Sequence, residues 1–168
     1  MNLSIYYVDA FTDKLFSGNP AAVIFSDLTD TLTMQNIAAE NNLSETAFIR
    51  EEGGIYYIRW FAPSCEIDLC GHATLASAYT YFNFINPGST EFEVHSKKNG
   101  SLKVTLENDF LYLDFPSDSI TQLNADLIEK IIGIEPFEIY QGRDDILAIV
   151  NSETMVRNLE LDFELLKK

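Results

Sequence analysis

The hydrophobic pattern along the chain is strongest over residues 71–84, where apolar positions follow the period of a helix. Leu75, Ala78, Tyr79 and Phe82 fall at i, i+3, i+4 and i+7, and further apolar residues fill the other sides. Only small hydroxyl residues interrupt the central part of the segment. A helix with almost no polar face has to be covered on every side, so the pattern predicts a buried central helix.

Short strand patterns lie on both sides of this helix. Runs of β-branched and aromatic residues, or strict alternation, predict strands at residues 3–8, 20–25, 46–49, 55–61, 92–95, 102–106 and 111–115. A helix is predicted from a Thr33 cap to Glu40, and Asn99-Gly100 predicts a hairpin turn. Many strands around one helix indicate an α+β fold.

A new pattern begins after Pro116. It predicts a helix over residues 124–132, strands at 138–140 and 146–150, a helix at 153–159 and a further helix start at Asp162. The apolar positions that begin at Phe163 cannot be buried by so short a segment alone. We therefore expect a first domain at residues 1–116 and only the beginning of a second, truncated one at residues 117–168.

Composition and charge narrow the class of protein. The 168 residues are 46% hydrophobic and 12% aromatic, which is enough for a packed core. The formal net charge of −15 argues against nucleic acid and anionic membrane surfaces as partners, because both require clustered Lys and Arg. No run reaches transmembrane length and the N-terminus lacks the pattern of a signal peptide, so the cytoplasm is the expected location.

The start of the central helix carries the first candidate chemistry. The backbone N–H groups at Gly71 and His72 point out of a buried element, which predicts a site for a small anion, most simply a substrate carboxylate. The helix dipole disfavours a charged imidazole, so His72 is expected to be neutral and able to hydrogen-bond a substrate. A histidine that only hydrogen-bonds a loop is an equal alternative.

The two cysteines offer weaker chemistry. Cys65 and Cys70 are too few for a disulfide framework, and a C-x4-C pair in a chain with two histidines is a poor zinc site, so no metal is predicted. Cys70 precedes the helix start, where a thiolate would be stabilised and the thiol pKa lowered. Cys70 is therefore a candidate reactive thiol, although burial as an apolar residue is the favoured alternative.

Four motifs in order carry a resemblance to a known family. They are YVDAFT near the N-terminus, FSGNPAAV at residues 16–23, NLSETAF at 42–48 and RWFAPSCEIDLCGHATLAS at 59–77. Together they resemble the phenazine biosynthesis PhzF-like family, which is related in fold to diaminopimelate epimerase. The resemblance implies two pseudo-symmetric halves, each a curled, largely antiparallel, barrel-like sheet around a central helix, with the substrate held between them. It also implies a homodimer.

The resemblance assigns roles to particular residues. Glu45 falls on the family's catalytic glutamate, and His72 on a supporting polar group of the active site. From the residues alone, Glu45 would be interpreted as a solvated glutamate in a turn. A carboxyl group beside an apolar cleft would instead have a raised pKa, which suits an acid/base. The substrate-binding positions implied by the resemblance are Asn19, Ser44, Gly71 and Ala73.

Two functions of different classes follow from these residues. In the first, the complete protein is an isomerase that needs no cofactor and moves a proton on a small carboxylate-bearing metabolite, with Glu45 as the acid/base. In the second, it is a non-catalytic small-molecule-binding or dimerisation module, or a fragment that is inactive without a missing half. The presence of Glu45 together with His72 favours the isomerase, and the substrate itself cannot be identified from the sequence.

Overall fold

The computed structural model describes residues 2–124, 128, 132–134 and 136–166. The chain divides into two compact units, Met1–Pro116 and Ser117–Lys168. Across the described residues, no helix is both long enough and apolar enough to cross a membrane.

The first unit is built on an eight-stranded sheet. Its strands are β1 (Tyr6–Ala10), β2 (Asn19–Phe25), β3 (Glu45–Glu52), β4 (Ile55–Phe61), β5 (Glu66–Ile67), β6 (Glu91–Ser96), β7 (Gly100–Glu107) and β8 (Phe110–Asp114). They are ordered β1-β2-β3-β4-β6-β7-β8, and β5 pairs beside β4. The β2–β3 and β4–β6 pairs are parallel and the others antiparallel, which confirms the predicted, largely antiparallel sheet.

One helix lies at the centre of this sheet. Helix α2 (Gly71–Thr80) continues into a π-helical turn (Tyr81–Ile85), close to the predicted span of residues 71–84. The helix contacts β1, β2 and β3 near one end of the sheet and β8 at the other. Because one helix touches both ends, the sheet has to curl around it, and the predicted α+β architecture is confirmed.

Small side chains allow α2 to be enclosed. Ala73 and Ala78 have no exposed surface, so neighbouring strands approach the helix closely. The hydroxyls of Thr74, Ser77 and Thr80 donate to carbonyl oxygens four residues earlier at 2.6, 2.6 and 2.9 Å. These bonds satisfy the hydroxyl donors inside the helix, which explains how polar residues are accommodated in a buried element.

The two faces of the sheet bury separate apolar clusters. Trp60, Phe92 and Leu102 belong to the cluster around α2, and Trp60 is 2% exposed. Among the described residues, the buried indole Nε1 of Trp60 has no hydrogen-bond partner. Phe48 and Phe61 belong to the second cluster, which lies beneath α1 (Thr31–Asn41). Alternation along β3 and β4 directs neighbouring side chains to opposite faces and so supplies both clusters.

Helix α1 begins three residues earlier than predicted. Asp30, not Thr33, is the capping residue, since its Oδ2 accepts a hydrogen bond from the backbone N–H of Thr33 at 2.8 Å. The helix ends at Asn41, one residue beyond the predicted Glu40, where Asn42 takes a left-handed conformation with φ of 49°.

Two hairpins close the first unit. Ser96 pairs with Gly100 across a three-residue loop, and Gly100 has a φ of 68°, a conformation in which glycine is favoured. The predicted turn is therefore confirmed with Gly100 at its end. The β7–β8 hairpin turns at Asn108 and Asp109, with φ of 49° and 69°. Both values suit a type I′ turn, which the strand pattern did not reveal.

The second unit contains a smaller sheet. Strands β9 (Thr121–Gln122), β10 (Glu138–Gln141) and β11 (Ile146–Ile149) form an antiparallel sheet of order β11-β10-β9. Short helices α3 (Glu153–Arg157) and α4 (Phe163–Leu166) follow. The predicted helix over residues 124–132 falls largely outside the described residues. The interpretation of this unit as the beginning of a second half stays a prediction.

Candidate active site

The fold brings Glu45 to the start of the buried helix. Glu45 is the first residue of β3 and pairs with Ala21 of the parallel strand β2. Helix α2 packs on β2 and β3 and begins at Gly71, directly after Cys70. The beginning of β3 and the N-terminus of α2 therefore lie close together in the first unit.

Three side chains meet there, and we call Glu45, Cys70 and His72 the trio. The Nε2 atom of His72 lies 3.2 Å from Oε2 of Glu45, and Nδ1 of the same ring lies 3.3 Å from the sulfur of Cys70. The imidazole thus bridges a carboxylate and a thiol. The Nε2···Oε2 pair is close but not aligned as a hydrogen bond, so the buried Nε2 has no hydrogen-bond partner among the described residues.

The environment of His72 favours the neutral imidazole. Its side chain is 9% exposed, and burial lowers the pKa of His72 below 6.5, while the carboxylate of Glu45 acts in the opposite direction. Neutrality agrees with the sequence prediction, but the cause is removal from water rather than the helix dipole alone. A neutral ring can donate from one nitrogen and accept at the other, as a proton-transfer site requires.

The environment of Cys70 opposes ionisation. The pKa of Cys70 is raised to about 12, mainly by burial and in addition by the neighbouring Glu45. The backbone N–H groups of Ala73 and His72 act against this rise without overcoming it. The prediction of a lowered pKa for the Cys70 thiol is therefore wrong, because loss of hydration outweighs the helix N-terminus. The alternative of a buried, protonated thiol describes Cys70 better.

The other predicted site residues are less closely connected to the trio. Asn19 opens β2 and is half-buried, and Ser44 is exposed immediately before β3. Within the part of the chain that the structure describes, neither side chain hydrogen-bonds a member of the trio. Their contribution to substrate binding stays a prediction.

The predicted anion site at Gly71 and Ala73 has a competing partner. The N–H of Ala73 faces the Cys70 sulfur, so a substrate carboxylate would share or displace this contact. A Cβ built on Gly71 would lie 3.6 Å from the Phe115 ring, which is ordinary van der Waals contact. Gly71 is therefore not needed for steric reasons inside the protein, and its part in binding a substrate stays a prediction.

Three side chains next to Glu45 are linked by hydrogen bonds that the sequence did not predict. Asn41 Nδ2 donates to Thr46 Oγ1 at 3.1 Å, and the Tyr7 hydroxyl donates to Asn41 Oδ1 at 3.2 Å. These bonds connect the end of α1 to β1 and to β3 at the residue after Glu45. They fix the corner from which the carboxylate projects, and no spacing in the sequence signals them.

A surface concavity elsewhere in the first unit lies away from the trio. Arg50, Tyr57, Arg59, His95 and Lys97 contribute to its lining. Its arginines already pair with carboxylates, as shown by the two contacts of 2.7 and 2.6 Å between Arg59 and Glu66. The chemistry of the trio, with a carboxylate, an imidazole and a thiol at a helix start, makes it the stronger candidate for an active site.

Comparison with known proteins supports the same family as the motifs. Residues 8–168 match the PhzC-PhzF family model, described as phenazine biosynthesis-like protein. An uncharacterized isomerase of Pseudomonas aeruginosa is 42% identical over 171 residues, covering 100% of this chain and 65% of that protein. An uncharacterized isomerase of Halalkalibacterium halodurans is 40% identical over 171 residues, covering 100% of this chain and 64% of its own. The chain therefore spans just under two thirds of these relatives.

Solved structures agree with this result. The crystal structure of a phenazine biosynthesis protein of the PhzF family from Enterococcus faecalis matches with a TM-score of 0.89 and 42% identity, over 99% of this chain and 64% of that one. A chain described as a predicted epimerase from Pseudomonas aeruginosa matches with a TM-score of 0.72 at 15% identity, over 99% of this chain and 65% of that one, and shows the shared fold alone. The chain belongs to the PhzC-PhzF family of phenazine biosynthesis-like proteins.

Proposed function

We propose that the protein is an isomerase that moves a proton on a small carboxylate-bearing metabolite and needs no cofactor. Glu45 takes a proton from a carbon atom of the substrate and returns it at another position of the same molecule. A single carboxylate can perform both steps if it stays beside the substrate between them. The names of the two bacterial relatives, both uncharacterized isomerases, support the reaction class.

The observation that carries the proposal is the distance of 3.2 Å between Glu45 and His72 at the start of a buried helix. The Glu45 side chain is 19% exposed and that of His72 is 9% exposed, so the pair is largely removed from water yet still reachable. In such a place a proton exchanged with the substrate is less readily lost to solvent.

His72 has the supporting role in this proposal. Its neutral ring can donate a hydrogen bond to the substrate oxygen on which negative charge develops as Glu45 removes the carbon-bound proton. The substrate carboxylate would lie at the N-terminus of α2, where Gly71 and Ala73 provide backbone N–H groups. Asn19 and Ser44 would contact the remainder of the substrate.

The test is exchange of a carbon-bound substrate proton with deuterium. A panel of small carboxylic acids with an acidic C–H bond is incubated with the protein in D2O and followed by proton NMR. Glu45→Gln should abolish exchange, whereas Glu40→Gln, which changes an exposed glutamate on α1, should retain the full rate. Both variants should unfold at nearly the wild-type temperature. Full exchange by Glu45→Gln would remove Glu45 from the mechanism.

The same experiment separates the isomerase from a non-catalytic binding module. A module would bind a member of the panel, detected by calorimetry, without any exchange in the unchanged protein. Exchange that depends on Glu45 would instead establish the enzyme.

A further inference from the structure

The trio combines three different donor atoms in a small volume. One carboxylate oxygen of Glu45, the sulfur of Cys70 and one ring nitrogen of His72 all lie within 4.8 Å of one another. Zinc binds this same set of donors, with bonds of about 2.0–2.3 Å. Tetrahedral bonds of that length place donor atoms roughly 3.3–3.8 Å apart, so the donor atoms would have to approach one another by at most about 1.5 Å.

A second observation points to a ligand at the same place. The Nε2 atom of His72 is buried and has no hydrogen-bond partner among the described residues, although Glu45 is 3.2 Å away. A buried polar atom without a partner costs about 1–3 kcal/mol, so such an atom calls for an explanation. A bound metal would use the lone pair of the imidazole and draw the carboxylate to itself.

We propose that Glu45, Cys70 and His72 form a three-ligand site for a divalent metal of the zinc class, with water at the fourth position. The thiol S–H bond breaks on binding, its proton passes to solvent, and the sulfur bonds the metal as a thiolate. Mg²⁺ and Ca²⁺ are poor occupants, because they prefer six or more oxygen ligands. This site was not predicted from the sequence, where only the two cysteines were considered as zinc ligands.

Metal binding would oppose the proposed isomerisation. A metal on Glu45 occupies the lone pair that takes the substrate proton, so Zn²⁺ is expected to inhibit rather than activate. This consequence rests on the proposed function, whereas the binding of the metal does not. The two statements can therefore fail separately.

The binding test uses Co²⁺ as a spectroscopic substitute for Zn²⁺. Titration should produce a thiolate-to-cobalt charge-transfer band that saturates at one equivalent and is abolished by an excess of Zn²⁺. Cys70→Ser should remove the band, and Glu45→Gln and His72→Asn should each weaken Co²⁺ binding by about 10-fold or more. Cys65→Ser, which changes the exposed free cysteine, should leave the band intact.

The controls make each outcome decisive. Circular dichroism of every variant establishes that it is folded, and Glu45→Gln provides a second readout if Cys70→Ser does not fold. A missing band in the unchanged protein, or a band that survives Cys70→Ser, would overturn the site. If the Co²⁺ band appears but saturating Zn²⁺ leaves substrate exchange unchanged, the metal site is supported. The placement of proton transfer at the trio is then contradicted.

Discussion

At the scale of single residues, His72 links the candidate site to the stability of the fold. Burial holds its pKa in the folded chain below the ordinary value of 6.5 that it regains on unfolding. Between those two pKa values the unfolded chain binds more protons than the folded one, so stability rises with pH. The contribution of His72 to the stability of the fold is complete above pH 6.5. It is lost as the pH falls from the pKa of His72 in the unfolded chain toward its lower pKa in the folded chain.

We therefore predict that His72→Asn flattens the pH dependence of stability. Urea unfolding should be followed by circular dichroism at several values between about pH 5.5 and 7.5, the range in which histidine titrates. The unchanged protein should lose stability on acidification, and His72→Asn should lose less. Equal slopes of the free energy of unfolding against pH in the two proteins would show that His72 does not contribute to the pH dependence.

At the scale of elements, the close fit of α2 within its sheet determines which substitutions are tolerated. Ala78 has no exposed surface and belongs to the cluster that surrounds the helix. We predict that Ala78→Leu lowers the free energy of unfolding by about 1–3 kcal/mol, because three added carbon atoms have no space to occupy.

Ala39→Leu is the matched control, since it makes the same change at an exposed position of α1. It should alter the free energy of unfolding by less than about 0.5 kcal/mol. Urea unfolding curves of both variants measure the difference. Similar small effects would mean that the sheet relaxes around α2 and that the predicted tight packing is absent.

Elements with a clear pattern were predictable from the sequence. Strand β4 occupies residues 55–61 as predicted, because six of its seven residues are aromatic or β-branched and they lie between Gly54 and Pro63. The central helix was predictable because it lacks a polar face. The parallel pairing of β2 with β3 was not, since pairing depends on residues far apart in the chain. The type of the Asn108-Asp109 turn was not predicted, because it depends on backbone angles that a pattern of polar and apolar residues does not show.

The candidate site was only partly predictable. The motifs indicated Glu45 and His72, and the structure places them 3.2 Å apart. The predicted direction for the pKa of Cys70 was wrong, because the helix start is visible in a sequence and the burial that outweighs it is not. The Asn41–Thr46 hydrogen bond could not be predicted either, since it depends on how α1 meets β3.

At the scale of the whole molecule, the two units differ in how much side-chain surface they bury. The first unit buries two apolar clusters. In the described part of the second, Ile139 is 1% exposed, but Leu147 and Phe163 are 57% and 65% exposed. Regions with few buried contacts open more readily than the core of a domain.

We predict that amides of β10 and β11 exchange with solvent at least about 100-fold faster than those of α2. Hydrogen exchange followed by mass spectrometry at peptide resolution measures both regions in one sample. Comparable protection in the two regions would show that residues 117–166 form a unit as stable as the first.

The position of Trp60 has an optical consequence. It is the chain's only tryptophan, and it lies 2% exposed in the cluster that surrounds α2. Intrinsic fluorescence excited at the red edge of indole absorption therefore reports on the first unit alone, and its emission is expected to move to longer wavelength when water reaches the ring. Since the second unit contributes no indole, a comparison of this emission with a probe of the whole backbone distinguishes the melting of one unit from the melting of both.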